Sequence, residues 1–221
     1  MRKRKIQISP ISPESRLVAL RAGIRIEILA IAWMTLESIV AVGSGMIADS
    51  VLLIAFGLDS IIELISGAVL LWRLSEEMKG DDLERIEQVE RKATWISAVL
   101  LALLCLYVTF TTIVGLLRHV KPESSFSGIF ISSAAMIVMP LLARRKRGLN
   151  KQLGSAALRA DIAESVTCGY MAGTVLIGLV LSTTFGYWWA EYVASALFLY
   201  WLARETREAI AAARERAGAE G

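Results

Sequence analysis

The sequence predicts an all-α integral membrane protein of six transmembrane helices with both termini in the cytoplasm. Three observations carry that reading. The 221 residues are 55% hydrophobic, with a mean hydropathy of +0.55, too apolar for a soluble domain of ordinary composition. Six apolar runs of helical length follow one another, separated by polar or charged segments. Lysine and arginine are shared very unevenly between alternate segments. The expected organisation is a basic cytoplasmic tail over 1–19, a six-helix domain over 20–205 and a short cytoplasmic tail over 206–221.

The first residues, Met-Arg-Lys-Arg-Lys, are basic, but the polar stretch 7–16 contains proline where a signal peptide carries its apolar region, so the segment is expected to be retained. Span one, 20–43, has Arg21, Arg25 and Glu27 at its entrance and Glu37 deeper. Glu27 reads as a solvated or paired end residue. Glu37 reads as a hydrogen-bonding group for a neighbouring helix and is left outside the site, its part in transport open. Span two, 50–74, follows a short turn and ends at Trp72 and Arg73, an aromatic and basic anchor for an interface. Residues 73–92 hold seven acids and five bases and read as a solvated connector, helical in part through pairs among Glu84, Glu87 and Arg91.

Span three, 93–117, is uncharged, and its Cys105 reads as filler. The loop after it carries the only histidine, His119, which reads as solvated. Span four, 129–143, is short, and Pro140 is expected to kink or end it, with the densest basic cluster, Arg144 to Arg147, just beyond. Span five, 153–181, has a small-xxx-small pair, Gly169 and Gly173, that permits close helix packing. Span six, 187–203, opens with Glu191, whose role the sequence leaves open, and is rich in aromatics. The 18 residues after it are too few for a soluble domain.

The side that receives both termini carries nineteen lysines and arginines: five before span one, five in 73–92, five in 144–151 and four after span six. The opposite side carries Arg118 and Lys121 only. That bias places the termini in the cytoplasm.

Span two then poses the central question, because Asp59 and Glu63 lie in the middle of an apolar run. An ionisable side chain at that depth costs roughly 2.5–3.5 kcal/mol on insertion scales, so the pair needs a compensating partner. Their i, i+4 spacing puts both on one face, which Ser66 and Gly67 continue. Span five presents Asp161, Glu164 and Cys168 on one face in the same way. Asp59 lies ~13 Å from the outer end of span two and Glu164 ~16 Å from the inner end of span five, about level in a ~30 Å core. If the two faces meet, four or five potential ligands converge at the midplane. Like-charged carboxylates cannot all stay ionised there without a counter-charge; a divalent cation supplies one, and protons replace it when the cation leaves. Because ligands shed protons to bind metal, the arrangement offers a physical basis for cation/proton exchange.

Other classes fare worse. The net charge of +3 comes from basic residues flanking apolar runs, which is a topology pattern, and no nucleic-acid partner is expected. The two cysteines lie inside apolar runs and give no disulfide framework. No Ser/His/Asp constellation, HExxH or nucleotide motif appears, so neither an enzyme nor a cofactor is expected.

The residues carry a resemblance. Ser50 to Glu63, with Asp59 and Glu63 four apart, resembles the second-helix signature of cation diffusion facilitators, and Ala157 to Cys168 is similar to their fifth-helix signature. The Leu71-Trp72-Arg73 ending of span two resembles a divergent vesicular, zinc-exporting branch without the large cytoplasmic metal-binding domain. The resemblance implies a six-helix bundle with a metal site at Asp59, Glu63, Glu164 and Cys168, and with Asp161 behind it, although chemistry alone also allows Asp161 as a ligand. Glu63 and Glu164 depart mildly from the family pattern and Cys168 departs most. Also implied are a homodimer in the lipid bilayer, the plasma membrane if the cell is prokaryotic, and proton-coupled efflux of a divalent metal. Zinc is favoured because a thiolate with carboxylates suits it, cadmium is compatible, and manganese or iron is the alternative because three ligands are hard oxygens. A rival from another class is a membrane interaction subunit whose acids only bind partner helices.

Overall fold

The computed structural model describes residues 13–79 and 83–218. The basic residues 2–5 and the side chains of Glu84 and Glu87, with the pairs expected of them, lie outside what is described. Six helices make up the described chain: α1 Pro13–Ile47, α2 Val51–Lys79, α3 Leu83–Leu117, α4 Phe126–Leu153, α5 Ala156–Phe185 and α6 Ala190–Gly218. No strand occurs among the described residues. The helices are 28 to 35 residues long, so at ~1.5 Å per residue each exceeds a ~30 Å core. The spans read from hydropathy are therefore the apolar portions of longer rods.

The helix ends follow local chemistry. Pro13 begins α1, a position whose N–H has no intrahelical acceptor in any case. Ser125 and Ser155 cap α4 and α5, accepting from the N–H of Gly128 and Leu158. Gly154 and Gly186 close the same two helices at φ 65° and 68°, where a side chain would be strained, and their N–H groups bond to Asn150 O and Ser182 O. Pro140 neither ends nor interrupts α4, which continues to Leu153. A Cβ on Gly169 would stand 3.2 Å from the Pro140 ring, so the bare glycine backbone of α5 makes room for it. The basic cluster consequently sits on a helix and not in a loop.

Five helices are long and apolar enough to cross a membrane, α1 to α5. In α6, Glu191 and the charged residues from Arg204 onward leave a shorter apolar stretch between them. Helices α1, α2, α4 and α5 form a ring in which α1 packs on α2 and α4, and α5 on α4 and α2. The pair α3 and α6 flanks it, α3 against α2 and α6 against α5. The ring encloses a core around Phe56, Leu53, Met139, Met171 and Leu179. Large apolar side chains point outward from α1 (Leu29, Ile39) and α3 (Leu106, Phe110), as lipid-facing surfaces do. The up-and-down order brings the start of α1 and the end of α6 to the same end of the bundle, called the termini end below.

Candidate metal centre

On α2, Asp59 is completely buried and Glu63 nearly so. All four of their carboxylate oxygens are shielded and have no hydrogen-bond partner among the described residues. Buried polar atoms in folded proteins are almost always satisfied, so two adjacent carboxylates with none satisfied mark a place for a cation or for protons. The charges acting most on Asp59 are Glu37 and Glu164, all of the same sign. Those acting on Glu63 are Asp59, Glu205, Glu37 and Glu164.

Cys168 on α5 is also fully buried, and its Sγ donates to Glu37 Oε1 at 3.7 Å. Glu164, one turn earlier, is half-buried and lines a cavity together with Glu63. The structure thus gathers Asp59, Glu63, Glu164 and Cys168 into one region without closing them into a shell: among the described residues no three His, Cys, Asp or Glu side chains surround a common point at ligand distance. Their donors are carboxylate oxygens and one sulfur, a set suited to zinc-like cations.

Glu37, read from the sequence as a hydrogen-bonding group for a neighbouring helix, makes such bonds to both α2 and α5. It is completely buried on α1, accepts from Ser60 Oγ at 2.7 Å and from Cys168, and keeps Oε2 without a partner. It thus lies against Ser60, next to Asp59 in sequence, and against Cys168. Asp161, expected behind the site or as a further ligand, has a partner of its own. Lys146 Nζ holds both of its oxygens, at 2.8 and 2.7 Å, and also reaches Glu27 Oε2 at 2.9 Å. The three side chains form a buried ion triad joining α1, α4 and α5, so Asp161 has its counter-charge within the chain. Glu27 is a paired residue, as one of its two readings had it. Lys146, counted above as a topology signal, is 1% exposed and contributes to packing instead.

The cavity, about 190 Å³, is lined by Glu63 and Ser66 of α2, Ser97 of α3, Glu164 and Asp161 of α5, and Glu205 of α6. These positions come from the last part of α2 and α6 and the first part of α3 and α5, so the cavity lies toward the termini end. Polar clasps join the helices at the other end. Ser50 Oγ donates to Glu191 Oε2 at 2.6 Å, the Ser44 and Ser127 hydroxyls are 2.8 Å apart, and Tyr192 OH donates to Val120 O at 2.7 Å. Glu191 therefore fastens α6 to the start of α2, away from the cavity. His119 is exposed and its ring lies 5.5 Å from that of Trp188, while Cys105 is half-buried with its sulfur 3.4 Å from Thr206 Oγ1.

Glu205 was not singled out by the sequence because it falls just beyond the apolar stretch of span six, in a run of Ala, Glu and Arg that resembles a solvated tail. Helix α6 carries it back against the bundle. A family model described as the cation efflux transmembrane domain matches residues 28–214. Among curated proteins, none matches the chain significantly.

Proposed function

The chain belongs to the cation efflux family of membrane transporters for metal cations, and from that premise we propose that it exports a divalent transition metal, zinc foremost, in exchange for protons. The observation that carries the proposal is the pair Asp59 and Glu63, whose four buried oxygens have no partner beside the buried Cys168 sulfur. The cation enters the cavity from the termini end and loses water as Asp59, Glu63, Glu164 and Cys168 close on it. It leaves after the clasps at the opposite end part. Protons take its place on the carboxylates, which keeps the site near neutral in both halves of the cycle. The lysine and arginine bias supports a cytoplasmic position for the cavity, the direction an exporter requires.

An interaction subunit using its acids to bind partner helices is disfavoured, since Asp59 and Glu63 face the interior of their own bundle. Between metals, Cys168 decides, being the only sulfur in the set. Replacing it by Asp keeps a metal-binding anion but exchanges sulfur for oxygen, and should move the preference from zinc and cadmium toward manganese by about tenfold, or ~1.4 kcal/mol. Cys168→Ser should weaken all three. Rates of uptake of each metal into proteoliposomes would be compared for wild type and both variants. The same selectivity in all of them would make Cys168 a packing residue and leave the coordination to Glu37 or water.

A further inference from the structure

The cavity holds a carboxylate that the midplane site does not use. Glu205 is 9% exposed, projects from α6 into the cavity, and has Oε2 shielded and without a hydrogen-bond partner. Its neighbours do not explain it as a packing group. The charged groups acting on it include Asp59, Glu63, Glu164 and Glu208, all acids. Nearby Arg204 pairs with Glu208 at 3.0 Å on the exposed side of the helix, and Lys146 is committed to Glu27 and Asp161. A buried acid set only among acids is costly unless a cation visits it.

The cavity has room for such a visitor with its water. Its volume, about 190 Å³, far exceeds the roughly 10–15 Å³ that a single water requires, so an ion that keeps part of its water fits. Glu205 faces Glu63 and Glu164 across this space, from α6 to α2 and α5.

We propose that Glu205 is a metal ligand in its own right: with Glu63 and Glu164 it forms a loading site that holds a hydrated divalent cation in the cavity before the ion is stripped of water onto the midplane ligands. The inference rests on the transport reading and deepens it. Loading from the cavity raises the local cation concentration beside the midplane and lets dehydration proceed one ligand at a time. Because α6 packs on both α3 and α5, the occupied site also ties the flanking pair to the ring while the cavity is open.

Two measurements on the purified full chain test this. Zinc binding by equilibrium dialysis should persist, weakly, in Asp59→Asn and be lost when Glu205→Gln is added, and Glu205→Gln alone should raise the KM for zinc transport about tenfold, with kcat within about twofold. Glu205→Asp, which keeps the charge, should retain the weak ion. Independently of any substitution at Glu205, its modification by a hydrophobic carbodiimide, read by mass spectrometry, should be suppressed by zinc in wild type and in Asp59→Asn alike. Zinc binding to Asp59→Asn that survives the addition of Glu205→Gln, an unchanged KM in Glu205→Gln, or modification of Glu205 that ignores zinc would overturn the proposal. If wild type moves no metal while zinc still shields Glu205, the transport reading fails and the cavity site stands as a binding site.

Discussion

Asp59→Asn should abolish metal transport, by at least ~100-fold in initial rate, because loss of even an outer partner of a metal ligand typically costs 10–100-fold. The substitution keeps the shape of the side chain and removes a charge that no hydrogen bond among the described residues compensates. Folding should therefore hold or improve, given an insertion cost of roughly 2.5–3.5 kcal/mol for a central acid. Zinc flux in proteoliposomes and thermal unfolding in detergent would be measured on the same preparation. A folded variant with wild-type flux would make the central acids structural and return the interaction-subunit reading to first place.

The opposite balance is expected at Lys146. Lys146→Met should be strongly destabilising, by about 3–5 kcal/mol, since it strands two buried carboxylates, Glu27 and Asp161, that share this one cation. The side chains of Lys146 and Glu27 are only 2% and 1% exposed, so solvent cannot stand in for the missing charge. Neutralising all three, with Glu27→Gln and Asp161→Asn added, should recover most of the loss. Unfolding midpoints and resistance to proteolysis in detergent would show the difference. A loss below about 1 kcal/mol would mean the triad behaves as an exposed ion pair. Asp59 and Lys146 thus separate two kinds of intramembrane charge, one left uncompensated for a moving cation and one matched for the fold.

This distinction was only half legible in the sequence. Asp59 and Glu63 announce themselves because they interrupt an apolar run at helical spacing, and Glu164 and Cys168 share a face of span five in the same way. Six helices and the membrane setting follow from hydropathy and from the family pattern, which the cation efflux match over residues 28–214 bears out. Lys146 could not be told from its neighbours: Arg144, Arg145 and Arg147 flank it, and only the turn of α4 decides that the lysine alone faces inward. Glu37 stands singly on α1, so no spacing within its own helix marks it, and its role appears only when α5 brings Cys168 against it. Glu205 lies past the end of the hydropathy signal, where burial depends on α6 continuing as a straight rod against its neighbours. Pro140, expected to kink or end its helix, does not end it, and the glycine that leaves room for its ring, Gly169, lies on a different helix.

The central claim is that one buried set of carboxylates and a thiol carries a divalent cation in one direction and protons in the other. It is tested most directly by recording zinc and luminal pH together in proteoliposomes with an acidic lumen and the cavity side outward. That orientation is set by a cysteine at Ser124, which should be shielded in the lumen from an impermeant thiol reagent, and by one at Gly148, which should react. Addition of zinc outside should drive zinc into the lumen and raise luminal pH in step, both signals disappearing in Asp59→Asn. Zinc entry with no change in luminal pH, or proton loss that does not depend on zinc, would contradict the exchange.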